Sequence, residues 1–160
     1  MNTVSQDDPI RIFASHAFQD HDDYHRFFEY LESATNFFYR NRAVPGKVPE
    51  VDTKESFKDE LREQIKAAEI VVILAGMYEE SREWIDFTLL AAQAFEKPII
   101  AMEHFGSTQE VAPEIASIAD EVVSWNDRSM VDAIRRQARH EDTQRWDVVE
   151  FDMPETPEDS

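Results

Sequence analysis

The apolar positions along the chain follow two different spacings. The continuous run Ile70–Gly76 predicts a strand that is buried on both faces. Elsewhere, as in Leu61, Ile65 and Ala68, apolar residues recur at intervals of three and four, which predicts amphipathic helices. The predicted strands are 10–14, 36–40, 70–76, 98–102 and 121–125. The predicted helices are 18–31, 53–68 with a capping box at Asp52 and Glu55, 81–96 after a cap at Ser81, 113–118, and a last helix capped by Ser129.

Strands and helices alternate strictly along the chain. Strict alternation with short connections predicts a parallel sheet with helices on both faces and right-handed crossovers. With five strands, we predict a flavodoxin-like α/β fold with the strand order 2-1-3-4-5. Ligands bind at the carboxyl ends of the strands in such sheets, so the segments expected at the site are 15–20, 40–47, 77–81 and 103–106.

Charge and composition exclude several classes of function. The chain has 160 residues, with 16 Lys and Arg against 34 Asp and Glu, and a net charge of −18. Such a surface repels phosphate backbones and anionic lipid, so we expect neither nucleic acid nor a membrane as partner. There is no cysteine, and the three glycines stand singly, which excludes thiolate sites and glycine-rich phosphate loops. We find no secretory signal or apolar stretch of membrane-spanning length, and we predict a cytoplasmic protein.

The acidic residues become dense towards the last residues of the chain. Residues 140–160 hold eight acidic residues and one arginine, which predicts a mostly disordered acidic tail. Residues 1–9 are also expected to be disordered, which leaves 10–139 as the folded domain.

The histidines near the first helix have the spacing of a metal site. His21 and His25 are four residues apart, as in metal-binding helices. However, Tyr24, Phe27 and Phe28 define the buried face of the same helix, so the histidines are expected to be solvent-exposed. We therefore predict no metal ligand set.

Six short motifs follow one another between residues 10 and 138. They are Ile12–Ala17, Tyr39–Asn41 leading to Val44–Pro45, Ile73–Tyr78, Trp84–Ile85, Lys97–Ile100 and Trp125–Asn126. As a set, they resemble the prokaryotic TIR-like (Toll/interleukin-1 receptor-like) domains, and most closely the group that contains the Thoeris antiphage sensor subunit. The resemblance implies a flavodoxin-like fold and a role in antiphage or immune signalling.

The resemblance also implies a ligand, which is NAD or another ADP-ribose-type nucleotide bound at the strand ends. Many members of the family cleave the nicotinamide–ribose bond of NAD and release ADP-ribose or a cyclic signal molecule. The side chain of Phe18 is expected to stack on a base, and Arg40 with the basic loop 42–47 to meet a pyrophosphate. The residues that the resemblance places at the site are Ser15, His16, Phe18, Arg40, Asn41, Trp84 and Thr88.

Thr88 departs from the family pattern. Members that cleave NAD carry a glutamate four residues after the tryptophan that opens the third helix, and its carboxylate stabilises the positive charge that develops as nicotinamide leaves. Trp84 matches that tryptophan, and Thr88 occupies the position of the glutamate. Because threonine carries no charge, no catalytic residue is assigned, and Glu83 and Asp86 are the nearest substitute carboxylates.

Three functions stay open at this point. One is an NAD glycohydrolase or ADP-ribosyl cyclase that produces a signal. Another is a catalytically silent module that acts by associating with copies of itself, another TIR-like protein or an effector through the loop 42–49. The third is a protein that sequesters a nucleotide signal without altering it.

Overall fold

In the computed structural model, which describes residues 4–141, five parallel strands form one sheet in the order β2-β1-β3-β4-β5. The strands are β1 (Ile10–Ala14), β2 (Tyr39–Asn41), β3 (Ile70–Leu74), β4 (Ile99–Met102) and β5 (Glu121–Val123). The α-helices are α1 (Asp22–Glu32), α2 (Lys54–Lys66), α3 (Arg82–Ala94), α4 (Pro113–Ala116) and α5 (Asp127–Arg139). The predicted flavodoxin-like fold and strand order are therefore confirmed.

Helices cover both faces of the sheet. Helix α1 packs against α5, and α2 packs against α3. Every residue of β3 is fully buried between these layers, as its unbroken apolar sequence predicts. The longest α-helices have 13 residues, about 20 Å at 1.5 Å per residue. None of the helices within 4–141 is long and apolar enough to cross a bilayer.

The second strand begins later than its sequence predicts. Asn36 has a φ of 58°, a left-handed conformation that keeps the chain in a turn after α1. Phe37 then packs into the core before pairing starts, so β2 begins at Tyr39 rather than at residue 36. The last two residues of the predicted third strand, Ala75 and Gly76, instead belong to a 3₁₀ turn, Ala75–Met77, at the carboxyl edge.

Two helices are capped by residues other than those predicted. The side chain of Thr53 accepts a hydrogen bond from the Ser56 amide and caps α2, so the predicted capping box beginning at Asp52 is wrong by one residue. Asn126 accepts from the Ser129 amide and caps α5, so Ser129 is the donor at this cap. Both observed caps are of the residue types that stabilise helix N-termini.

Ion pairs around Arg139 hold the amino edge of the sheet. Arg139 donates from Nε and Nη2 to the two carboxylate oxygens of Glu69, at 2.6 and 2.9 Å, and from Nη1 to Asp8 at 3.2 Å. Near the same edge, the Val4 amide donates to Glu141. These contacts connect residues 4–9 to the end of α5; the remainder of the predicted acidic tail, 142–160, lies outside the described residues.

Candidate functional site

The crevice between the carboxyl ends of β1 and β3, where the chain changes direction across the sheet, is the usual ligand site of this fold. In this protein, the side chains of Ser15 and Asp23 lie there. Ser15 is fully buried, and its hydroxyl accepts from the Leu74 amide at 3.0 Å and donates to Met77 Sδ at 3.9 Å. The carboxylate of Asp23 lies so close to Gly76 that a Cβ at that position would overlap it. The Ser15 hydroxyl therefore connects the end of β1 to β3.

An open cleft of about 360 Å³ lies beside this crevice. Its aromatic wall is formed by Phe18 from the β1–α1 loop, Phe57 from α2 and Trp84 from α3. The ring of Phe18 meets the other two edge-on, with centroid distances of 4.8 Å to Phe57 and 6.1 Å to Trp84. The residues lining the cleft are Ala17, Phe18, Gln19, Val48, Asp52, Thr53, Lys54, Phe57 and Trp84. An aromatic wall with a polar rim suits a planar heterocycle joined to polar groups.

His16 lies behind this wall. It is fully buried, its Nε2 is 2.8 Å from Oε1 of Gln64, and its Nδ1 accepts from the Phe18 amide at 3.1 Å. Burial lowers the pKa of His16, although the hydrogen bond to Gln64 and the nearby Glu60 carboxylate oppose this shift. His16 is therefore neutral at neutral pH, and it supports Phe18 from behind.

The three residues of α3 considered for a catalytic role from the sequence point in three directions. Thr88 is fully buried, and its hydroxyl donates to the Trp84 carbonyl oxygen at 2.8 Å. The carboxylate of Asp86 accepts from the Tyr78 hydroxyl at 2.8 Å, which turns it away from the face that carries Trp84. Glu83 forms an exposed ion pair with Lys54 at 3.0 Å, and this pair places the Glu83 carboxylate at the rim of the cleft.

Arg40 and Asn41 lie on the edge strand β2 and are not among the residues lining the cleft. The amide of Asn41 donates to the Tyr24 hydroxyl at 2.8 Å and accepts from the Ala43 backbone at 2.8 Å. Arg40 is exposed and stands opposite Arg11 of β1. Of the predicted site residues, the cleft thus brings together Phe18 and Trp84.

Two residues of α2, Phe57 and Gln64, contribute to the cleft or its support and were not predicted as site residues. Phe57 lies four residues before Leu61 on the apolar stripe of the helix, a spacing that predicts packing in the core rather than a place in a site. Gln64 is 5% exposed, and it lies on the same stripe between Leu61 and Ile65. A polar residue on the buried face of a helix requires hydrogen-bond partners there, and this is the sequence signal that could have identified it.

The histidine pair on α1 has local structural roles. His21 is the N-cap of the helix, and its Nδ1 accepts from the Asp23 amide at 3.0 Å. His25 lies 3.4 Å from a carboxylate oxygen of Asp20. Across residues 4–141, no three His, Asp or Glu side chains are grouped so as to hold a metal ion.

The chain matches the model of a known protein family. Residues 13–109, more than half of the chain, match the family model for Thoeris protein ThsB, TIR-like domain. The matched segment includes all three rings of the aromatic wall. No curated protein matches the chain. The family resemblance carried by the short motifs is confirmed, and the chain belongs to the ThsB TIR-like domains of the Thoeris group.

Proposed function

We propose that this protein acts in antiphage signalling and binds NAD or another ADP-ribose-type nucleotide in the cleft of Phe18, Phe57 and Trp84. Membership of the Thoeris family supports the signalling role. The observation that carries the binding role is the aromatic wall along a cleft of about 360 Å³, a volume within the range of roughly 300–1,000 Å³ that small-molecule sites occupy.

The parts of the cleft offer complementary contacts to such a nucleotide. The rings of Phe18 and Trp84 provide surfaces for a base, and the Asp52 carboxylate is an acceptor for ribose hydroxyls. Lys54 provides a cation for the pyrophosphate. Its ion pair with Glu83 is exposed on both sides, and such pairs contribute only about 0–1 kcal/mol. A pyrophosphate can therefore displace Glu83 from Lys54 at small cost.

The surroundings of Thr88 favour binding without efficient cleavage. The Thr88 hydroxyl is buried and donates to its own helix, so this position offers the ribose neither a charge nor a free hydroxyl. The Asp86 carboxylate is held by Tyr78, and Glu83, five residues before Thr88, lies about 140° away from it around the helix. Loss of one preorganised stabilising group commonly lowers a rate by roughly 10²- to 10³-fold. We therefore propose a nucleotide-binding protein in which NAD cleavage is slow.

Calorimetry and product analysis on the full chain test this proposal. Titration with ADP-ribose and with NAD should give saturable heats, and the wild type should release little nicotinamide from NAD. Thr88→Glu should release more than Thr88→Gln, the uncharged control of equal size. If neither nucleotide gives a binding heat, the proposed binding role is overturned. If the wild type releases nicotinamide rapidly, the proposal that cleavage is slow is overturned.

Exposed apolar residues favour a second function, which is protein association. Val44, Val48 and Val51 in the loop joining β2 to α2 are 45%, 54% and 61% exposed. Three exposed apolar residues in one loop favour a contact with another protein, and the two prolines of this loop reduce the entropy lost when it docks. Light scattering should show a higher mass for the wild type than for Val48→Asp. A monomeric wild type at high concentration would argue against self-association through this loop.

A further inference from the structure

Gln64 makes every hydrogen bond of which its side-chain amide is capable. Its Oε1 accepts from His16 Nε2 at 2.8 Å and from the Val44 amide at 2.9 Å. Its Nε2 donates to the Val44 carbonyl at 3.1 Å and to a carboxylate oxygen of Glu60 at 3.0 Å. Two donors and two accepting lone pairs are thus all used, at a residue that is 5% exposed.

The backbone of Val44 determines how this amide is oriented. An N–H can only donate and a carbonyl can only accept, so Oε1 must face the Val44 N–H and Nε2 must face the Val44 carbonyl. Because Oε1 is an acceptor, His16 must carry its proton on Nε2. His16 Nδ1 is then left with a lone pair, and it accepts from the Phe18 amide.

These bonds connect the two walls of the cleft. On one side, the hydrogen bonds lead from Gln64 through His16 to Phe18, which has a φ of 61°. A left-handed backbone costs a non-glycine residue about 1–2 kcal/mol, so it needs such support. On the other side, Gln64 holds Val44 in the loop that continues to Val48, a lining residue of the cleft.

We propose that Gln64 is a positioning residue of the nucleotide site, which sets the spacing between Phe18 and the loop bearing Val48 through its bonds to His16 and Val44. This inference rests on the proposed nucleotide binding. It implies that removing the amide weakens the ligand's affinity although Gln64 itself is not among the lining residues. It also implies that protonation of His16 disturbs the site, because Nδ1–H would face the Phe18 N–H.

The first test compares the affinity of Gln64→Met and Gln93→Met for ADP-ribose by calorimetry. Methionine keeps the length of the side chain and removes its hydrogen bonds. Gln93 lies exposed on α3 and provides the matched control. Gln64→Met should bind about tenfold more weakly or worse, since several buried bonds are lost, and Gln93→Met should bind like the wild type. If both variants bind with the wild-type affinity, the positioning role is overturned.

The second test is the pH dependence of ADP-ribose affinity. Replacing a residue with a merely structural role would not change this dependence. The ionisable groups facing His16 are Glu60 from α2, itself 3.6 Å from Lys47 of the loop, and Tyr24 from α1, whose ring centroid is 6.4 Å away. Affinity should fall once the pH drops far enough to protonate His16. In Gln64→Glu, a carboxylate favours the imidazolium, so this fall should occur at higher pH. Identical profiles in the two proteins would contradict the proposal.

The wild type alone decides the question if either variant fails to fold. The amide resonances of Phe18 and Val44 should shift at the pH at which the His16 ring titrates, and the ADP-ribose affinity should fall at that pH. If the amide resonances, the His16 ring and the ADP-ribose affinity changed at different pH values, the positioning role would be overturned. If instead the wild type does not bind ADP-ribose or NAD at any pH, the proposed function itself fails.

Discussion

Two aromatic clusters stand near the carboxyl edge of the sheet, and they differ in what covers their rings. The cleft cluster contains His16, Phe18, Phe57 and Trp84. The capped cluster contains Arg26, Tyr30, Phe105 and Trp125. Within the capped cluster, the Arg26 guanidinium lies 3.9 Å from the centroid of the Phe105 ring, and Trp125 Nε1 donates to the Glu103 carbonyl at 2.6 Å. The rings of Phe18, Phe57 and Trp84 instead line an open cleft.

The two clusters have similar aromatic content at the same edge of the sheet but differ in whether a cation lies over a ring. Arg26 is itself bonded to the buried Asp23 at 2.7 Å, so the cation over Phe105 is held in place. Phe105 is still 41% exposed, but a ligand base stacking on the ring face under Arg26 would have to displace a cation–π contact. At the cleft cluster the neutral His16 supports the wall from behind and leaves the cleft side to a ligand.

The largest effect that separates the clusters should come from their tryptophans. Trp84→Ala should weaken ADP-ribose binding about 30-fold, because stacking of a base on an aromatic side chain contributes roughly 2 kcal/mol. Trp125→Ala should leave the affinity unchanged. Calorimetry on both variants measures this difference, and equal losses of affinity would remove the functional distinction between the clusters.

Removing the Arg26 cation from the capped cluster should lower the stability of the protein and leave its affinity for ADP-ribose unchanged. Arg26→Met should lower the free energy of unfolding by about 1–2 kcal/mol, because the contact with Phe105 and the ion pair with Asp23 are both lost. Lys58→Met is the control, since the Lys58 ammonium is 5.4 Å from the Phe87 ring centroid and its loss should cost less. Urea denaturation measures both, and ADP-ribose affinity should not change. A large loss of affinity in Arg26→Met would place the ligand at the capped cluster.

A smaller effect on the free energy of unfolding is expected when the pH is lowered, because one imidazole, that of His16, is involved. Burial lowers the pKa of His16 below the 6.5 of an ordinary histidine, so the unfolded chain binds this proton first as the pH falls. The free energy of unfolding contributed by neutral His16 is fully present above about pH 6.5 and decreases below it. Urea denaturation between about pH 7 and 5.5 should show a steeper decline for the wild type than for His16→Gln. Parallel declines would mean that His16 is not the titrating group.

The smallest effect is expected for Thr88→Val. Valine has a similar shape, and it removes only the hydroxyl that donates to the Trp84 carbonyl. No buried donor is left without a partner, so the free energy of unfolding should change by less than about 0.5 kcal/mol. ADP-ribose affinity, measured by calorimetry, should be unchanged. A marked loss of affinity would show that the hydroxyl contacts the ligand.

The fold could be predicted because its strongest signals are local in sequence. The unbroken apolar run at Ile70–Leu74 requires cover on both faces of the sheet. The helical spacing of apolar residues between the strands predicts the helices that provide this cover. The start of β2 could not be predicted in this way. Phe37 and Phe38 have high strand propensity, but the left-handed Asn36 keeps the chain in a turn, and sequence spacing carries no sign of that conformation.

The site was harder to predict because position at a strand end does not determine exposure. Ser15 and His16 both follow β1, yet both are fully buried and bonded to neighbouring elements. Phe18, two residues further on, reaches the cleft. The helical spacing marks Gln64 as a polar residue on a buried face, but the partners of Phe57 and Gln64 depend on how α2 meets the segment after β1, which spacing along the chain does not reveal. Contact of any of these residues with a nucleotide stays a prediction.

The bond between Val4 and Glu141 has a practical consequence for experiments. It brings the two described ends of the chain together at the amino edge of the sheet, where Arg139 also bonds to Asp8. The aromatic cleft lies at the opposite, carboxyl edge. A label or surface anchor attached at Val4 or Glu141 therefore lies on the far side of the molecule from the cleft, and protein immobilised there can present its cleft to dissolved nucleotide.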